Sequence, residues 1–289
     1  MSKYLDKEGL AYFYSKVQNS SLSETQIDQA LQTTPVDGSG NNILDVEAYV
    51  RNLVHELVPT STINPAFNLS HYTFQELSDA STYIRKYPGE FLDWIGQTID
   101  VTIDNKACTA RLVGLCQDDL ADGTGKAAMT FICTTTAIQK RMSLNSPTGY
   151  ADSDLNINLN SSIYSNLSNS LKPYIKQVTK PTSSTRLNTE QVAQESFQAY
   201  LFIPSLFEIF GSSLADSKYY GIEGSQYQYW ANGGEVKFLS SSSTSTSIDR
   251  FWSRTKGSGS SFKYFNSTRS VITDNSYSSQ NMVAVGFCI

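Results

Sequence analysis

Residues 250–289 read RFWSRTKGSGSSFKYFNSTRSVITDNSYSSQNMVAVGFCI. An apolar anchor, Phe251 and Trp252, opens the stretch, and an apolar run from Met282 to Ile289 closes it. Val283, Val285, Phe287 and Ile289 alternate, which predicts a terminal strand returning to a core sheet. Between the two apolar ends lie Ser, Tyr, Asn, Thr, Gly, Lys and Arg. This is the mixture of antibody-like contact surfaces, where Tyr gives rigid area and Ser, Gly and Asn give adaptable hydrogen bonds. The pattern predicts short strands that frame a displayed binding surface. Its expected contact residues are Lys263, Tyr264, Asn266, Ser267, Arg269, Asn275, Tyr277, Ser278, Gln280 and Asn281; the competing reading is an ordinary polar hairpin. Trp252 and Arg254 share a strand face and are read as scaffold, with Arg254 bridging loop carbonyls through its five donors.

Upstream, a Tyr-rich and Gly-rich loop spans 221–234, and the aromatics over 219–230 suit stacking on a glycan, with several of them expected in the core. A Ser/Thr tract covers 240–247. Helical pieces are expected over 155–171 and 190–195, a loop over 180–186 and a short strand over 200–204. Ile99, Val101 and Ile103 alternate with polar residues, predicting a half-buried strand. Asp104, Asn105 and Lys106 form its turn, residues 107–115 return as a hairpin partner, and a third strand follows over 128–133. Thr73 with Glu76 reads as a capping box for a helix to about Lys86, stopped by Pro88 and Gly89. Before residue 69 the pattern is helical: 5–19, 23–31 and 45–58, with a linker over 35–42. The expected class is therefore α+β, an N-terminal helical attachment or oligomerisation region over 1–68 followed by a ligand-binding mixed domain of short antiparallel strands over 69–289.

Charged residues make up only 17% of the 289-residue chain and the net charge is −5, so no basic surface for nucleic acid is expected. No apolar run is long enough to span a bilayer, and the N-terminus lacks the apolar core of a secretion signal. The four cysteines form no CxxC pair, which argues against zinc. Cys108 and Cys116 fall on one predicted strand, too far apart when extended to form a disulfide. The loop DDLADGTGK over 118–126 has two readings. Asp118, Asp119 and Asp122 are weak candidates for Ca²⁺, although the spacing does not fit an EF-hand; alternatively they cap turn backbone. His55 and His71 have no nucleophile nearby in sequence. No enzyme activity is expected.

Two segments resemble known proteins. KYLDKEGLAYFYSKVQ (3–18) closely resembles the opening of many tail fibre and baseplate-appended proteins from phages and prophages of Gram-positive gut bacteria. The marks TFQELSDAS, LVGLCQDDLADGTGKAAMTF, TGYADSDLN, FWSRT and VAVGFCI, within 72–289, resemble a family known only as a domain of unknown function, found in such tail proteins and in bacterial surface proteins. Here Gln117 stands for the family's His, Tyr150 for its Trp, Asn156 for its Arg, and Ala284-Val285 for its closing Arg-Pro. The ending also resembles the C-type-lectin-like fold of formylglycine-generating-enzyme relatives and of the variable proteins of diversity-generating retroelements, whose last segment is the displayed face. The resemblance implies a receptor-binding tail protein of the virion, or a bacterial surface protein. Its implied partners are a host surface glycan or protein and other tail proteins, in a homo-oligomer such as a trimer. The alternative is a structural tail or baseplate component.

Overall fold

The computed structural model describes residues 63–183, 194–214, 221–240, 249–257, 261–266 and 272–289. All belong to the compact unit Ile63–Ile289. The expected helices before residue 59, the 35–42 linker, His55, Ser267, Arg269 and nearly all of the Ser/Thr tract lie outside the described residues. The class is α+β, with short helices and antiparallel sheets.

The described unit begins on a fastened segment. The Trp94 indole donates to Pro65 O and Phe67 O at 3.0 and 2.9 Å, and Ile63 and Leu69 are buried in the core. Thr73 and Glu76 form a complete capping box at the start of α1 (Phe74–Asp79). The single helix expected to Lys86 is two: α1 ends at Asp79, capped by Ala80, and α2 runs Ser81–Lys86. Pro88 stops the α-helix but opens a 3₁₀ segment, Pro88–Trp94, because a proline at the first position removes no bonded N–H.

β1 (Thr98–Ile103) and β2 (Lys106–Leu115) pair antiparallel, with Ile103 opposite Lys106. Asp104 and Asn105 carry φ of 52° and 57°, the left-handed pair that a two-residue hairpin turn requires. The remaining strands among the described residues are β3 (Asp119–Leu120), β4 (Met129–Thr136), β5 (Gln139–Arg141), β6 (Val178–Ser183), β7 (Gln194–Ala199), β8 (Leu201–Phe202), β9 (Leu239–Ser240), β10 (Arg250–Lys256), β11 (Ser261–Asn266), β12 (Ile272–Ser276), β13 (Gln280–Met282) and β14 (Gly286–Cys288). They form three sheets: β1-β2-β4-β14-β8 with β9 beside β4, β12-β11-β10-β13-β5, and β3-β6-β7.

The C-terminal run divides between two sheets. β13 lies in the second, β14 in the interior of the first, antiparallel to both β4 and β8. Both faces are covered, so every residue from Asn281 to Ile289 is buried, not only the alternating four. Phe287 stacks on Phe131 at 5.2 Å, with Phe74 edge-on to both. Gly286 sits where an added Cβ would lie 2.6 Å from Ile132 and Phe202 side-chain atoms.

Four expectations in the middle are corrected. The described part of the 190–195 helix belongs to β7, where Phe197 and Ala199 point inward at period two against β6. Lys180 is not in a loop but inside β6. The 221–234 loop contains a 3₁₀ turn, Gly221–Glu223, and a short helix, Gln228–Ala231. The 155–171 helix is real only at its start: α3 (Asp154–Asn158) passes into a π turn, Leu159–Ile163.

Candidate functional site

Arg254 is fully buried in β10. Its guanidinium donates to Pro181 O (3.1 Å), Ile203 O (3.0 Å), Glu223 O (2.5 Å) and both carboxylate oxygens of Glu208 (2.5 and 2.8 Å). Glu208 lies on the helix Leu206–Phe210, where Ser205 and Glu208 make another capping box. Burial would pull the Arg254 pKa down, but the Glu208 charge and hydrogen bonds, with Glu223 behind them, hold it above its ordinary value. Trp252, also buried, donates its indole N–H to Lys140 O at 3.0 Å, tying β10 to β5. One strand therefore fastens the second sheet, the third sheet, Ile203, Glu208 and Glu223 together.

On this frame the C-terminal tract divides. Ser276, Ser278 and Gln280 are exposed, and Asn275, Tyr277 and Lys263 are half-buried. The 276–279 turn is fixed from behind. Tyr277 O accepts from Met142 N and Ser143 N at 2.9 and 3.0 Å, and Ser279 Oγ donates to Asn275 Oδ1 at 2.9 Å. The exposed Leu144 follows directly, its N–H held by Asp154 Oδ2 at 2.7 Å. Three expected contact residues are corrected: Tyr264, Asn266 and Asn281 are only 8%, 1% and 3% exposed. The first two lie in β11, between β10 and β12, and Asn281 lies in β13, between β10 and β5. Interior strands are covered on both sides, so a polar composition did not place these side chains outside. Tyr264 sits opposite Trp252 in register, with Arg250 5.3 Å above its ring.

The three aspartates of the 118–126 loop do not converge. Asp122 accepts from Thr124 N and Oγ1 at 2.9 and 2.7 Å, capping the turn. Asp119 pairs with Lys126 at 2.7 Å on the surface. Asp118 points inward, where it contacts Lys180 and accepts from Thr130 Oγ1 (2.6 Å) and Tyr227 OH (3.1 Å). Among the described residues no group of three or more His, Cys, Asp or Glu side chains is placed to hold a metal ion. His71 lies in a 3₁₀ turn, with Nδ1 3.2 Å from Asn68 O. Cys108, Cys116, Cys133 and Cys288 are free thiols.

Asp118 and Arg254 belong to one buried polar cluster with Lys180, Glu208, Glu223 and Tyr227. Lys180 joins its halves, touching Asp118 and lying 2.5 Å from Glu208 Oε1. Burial opposes the Asp118 charge, but the Lys180 ammonium and the hydrogen bonds from Lys180, Thr130 and Tyr227 hold its pKa below the ordinary value. Burial instead wins at Glu223, whose pKa is raised although Arg254, Thr255 and Ser183 oppose the shift. Local sequence gave no sign of Lys180 or Glu223, and it offered Tyr227 only among loop aromatics suited to a glycan, whereas Tyr227 and Trp230 are buried. The S-x-x-E spacing of Ser205 and Glu208 was a legible signal for that helix start.

The family described as a domain of unknown function, DUF6273, matches residues 117–289. The chain belongs to this family. Its matched region begins at Gln117 and contains the whole buried cluster together with the C-terminal tract. No curated protein and no solved structure matches the chain. The positions that depart from the expected motifs have structural work here. Gln117 Oε1 accepts from Gln228 N at 2.9 Å and its amide donates to Gln226 O at 3.1 Å. Tyr150 packs edge-on to Phe197, Asn156 donates to Ala151 O, and Val285 O accepts from Cys133 N.

Proposed function

We propose that this protein is a receptor-binding component of a phage tail, whose C-terminal domain presents a small polar face to a host surface glycan or protein. The carrying observation is the 276–279 turn. Ser276, Ser278 and Gln280 point outward beside Tyr277, and backbone bonds from Met142 and Ser143 fix the turn. A face held by main chain loses little entropy on binding. The exposed Leu144 next to the turn adds an apolar contact. In this reading the N-terminal region attaches the domain to the tail, and a homo-oligomer multiplies a weak single contact through effective concentration. A lectin-like mode of display, and diversification of the tract by a retroelement, belong to the same proposal.

The test is adsorption of the purified full chain to host cells. Tyr277→Ala combined with Gln280→Ala is expected to abolish binding while the variant stays folded, its unfolding midpoint lowered only by the lost partial packing of Tyr277 on the core. Full retention of binding by that variant would overturn the reading. The burial of Tyr264, Asn266 and Asn281 favours the second reading, a structural tail component, because it shrinks the contact face. Phage carrying the same double change and adsorbing normally would support it.

A further inference from the structure

Lys180 and Asp118 face each other across two strands. The β3–β6 register pairs Asp119 with Thr179 and Leu120 with Val178, so one step further places Asp118 opposite Lys180. Their side chains touch, and both are buried. Around Lys180 Nζ stand Glu208 Oε1 at 2.5 Å, Tyr227 OH at 2.8 Å, and the rings of Phe202 and Tyr227 at 4.6 and 5.2 Å from nitrogen to centroid. An ammonium and carboxylates held away from water are costly to keep charged. At rest Asp118 favours its charged form, but a transient transfer of one proton from Lys180 to Asp118 neutralises both and leaves an amine in contact with a carboxylic acid. Few arrangements are better prepared for condensation: nucleophile and electrophile are held together, and solvent is excluded.

We propose that Lys180 and Asp118 become joined by an amide, an intramolecular isopeptide cross-link that forms after folding. The Lys180 nitrogen lone pair attacks Asp118 Cγ and the C–N bond forms. Oδ2 carries the charge that develops, and it already receives hydroxyl bonds from Thr130 (2.6 Å) and Tyr227 (3.1 Å). Donors aimed at a developing oxyanion stabilise the transition state. Glu208 accepts the proton from nitrogen and returns it to the departing oxygen. The C–O bond breaks and one water leaves; nothing is oxidised or reduced. Asp118 is the electrophile rather than Glu208, because Arg254 holds both Glu208 oxygens and Ser205 N donates to Oε2 at 3.0 Å. Those bonds hold both Glu208 oxygens in place beside Lys180 and leave its carbonyl carbon poorly placed as an acyl donor. The product staples β6 to the start of β3, inside the family-matched region.

Mass spectrometry of the full chain, purified and then denatured, tests this directly. The intact mass is expected to be lower than the sequence mass by one water. Trypsin is expected to yield residues 112–126 linked to residues 177–186, with fragmentation placing the link at Asp118 and Lys180. Asp118→Asn is expected to form the same link with loss of ammonia, and Lys180→Arg, which keeps the cation, to give the unlinked mass. Glu208→Gln is expected to slow formation in refolded protein. Recovery of both wild-type peptides free would overturn the proposal, as would a link from Lys180 to Glu208 or from Asp118 to Cys288. The wild-type result stands even where a variant fails to fold.

Discussion

Replacing Arg254 with Ala is expected to be among the most damaging single changes in the described unit. The guanidinium makes five bonds: two to Glu208 and one each to the carbonyls of Pro181, Ile203 and Glu223. Removing one partner of a buried ion pair costs about 3–5 kcal/mol. Each carbonyl left without a donor adds about 1–3 kcal/mol where water cannot reach it. These losses overlap, so we expect at least about 4 kcal/mol, against a total stability of about 5–15 kcal/mol for a domain. Urea unfolding followed by tryptophan fluorescence measures it, since Trp94, Trp230 and Trp252 are all buried. The midpoint should fall with little change in slope. Arg254→Lys should lose roughly half as much, because an ammonium keeps the charge but not the planar fork. Arg85→Ala, on an exposed side chain that donates to Thr82 Oγ1, should change stability by less than about 0.5 kcal/mol. A loss below about 1 kcal/mol for Arg254→Ala would refute the claim that this residue fastens the sheets.

Other outcomes follow from the same geometry. The raised pKa of Glu223 means that the folded state favours its protonated form. Its contribution is fully present below the unfolded carboxylate value and is lost as pH rises through the folded value. Glu223→Gln should therefore gain stability relative to wild type as pH rises above the ordinary carboxylate value of about 4, and a difference that is flat or falls with pH in paired urea titrations counts against this. Gly286→Ala should cost about 1–3 kcal/mol by overpacking against Ile132 and Phe202, read as a lower unfolding midpoint; a neutral result would mean that β14 shifts freely. The hydrogen bond from Cys133 outweighs burial at Cys108, and with Thr136 it lowers that thiol to about 7. Cys108 also lines a cleft of about 590 Å³. Iodoacetamide labelling mapped by peptide mass should thus rise at Cys108 with a midpoint near about pH 7. Cys116, raised by burial, should label only at higher pH, and the reverse order would contradict this assignment.

Elements defined by neighbours in sequence were legible. The capping box of Thr73 and Glu76, the Asp104-Asn105 turn and the alternation from Ile99 to Ile103 each require residues only a few positions apart, and the structure shows all three. The α+β class follows from such local signals. The exposure of the C-terminal tract was not legible in the same way. Its Ser, Tyr and Asn composition is the same whether a strand lies at an edge or inside a sheet, and only pairing of β11 and β13 with strands on both sides buries Tyr264, Asn266 and Asn281. Lys180 makes the point most sharply. On its own it reads as a solvated loop cation. Strand pairing sets it opposite Asp118, and packing brings Glu208 and Tyr227 to the same nitrogen from distant parts of the chain. Sequence determined which segments form helix, turn and strand, because those preferences are short-range. Tertiary structure alone decided which polar groups lie in the dry interior and whom they meet there, because burial and charge pairing depend on contacts between segments far apart in the chain.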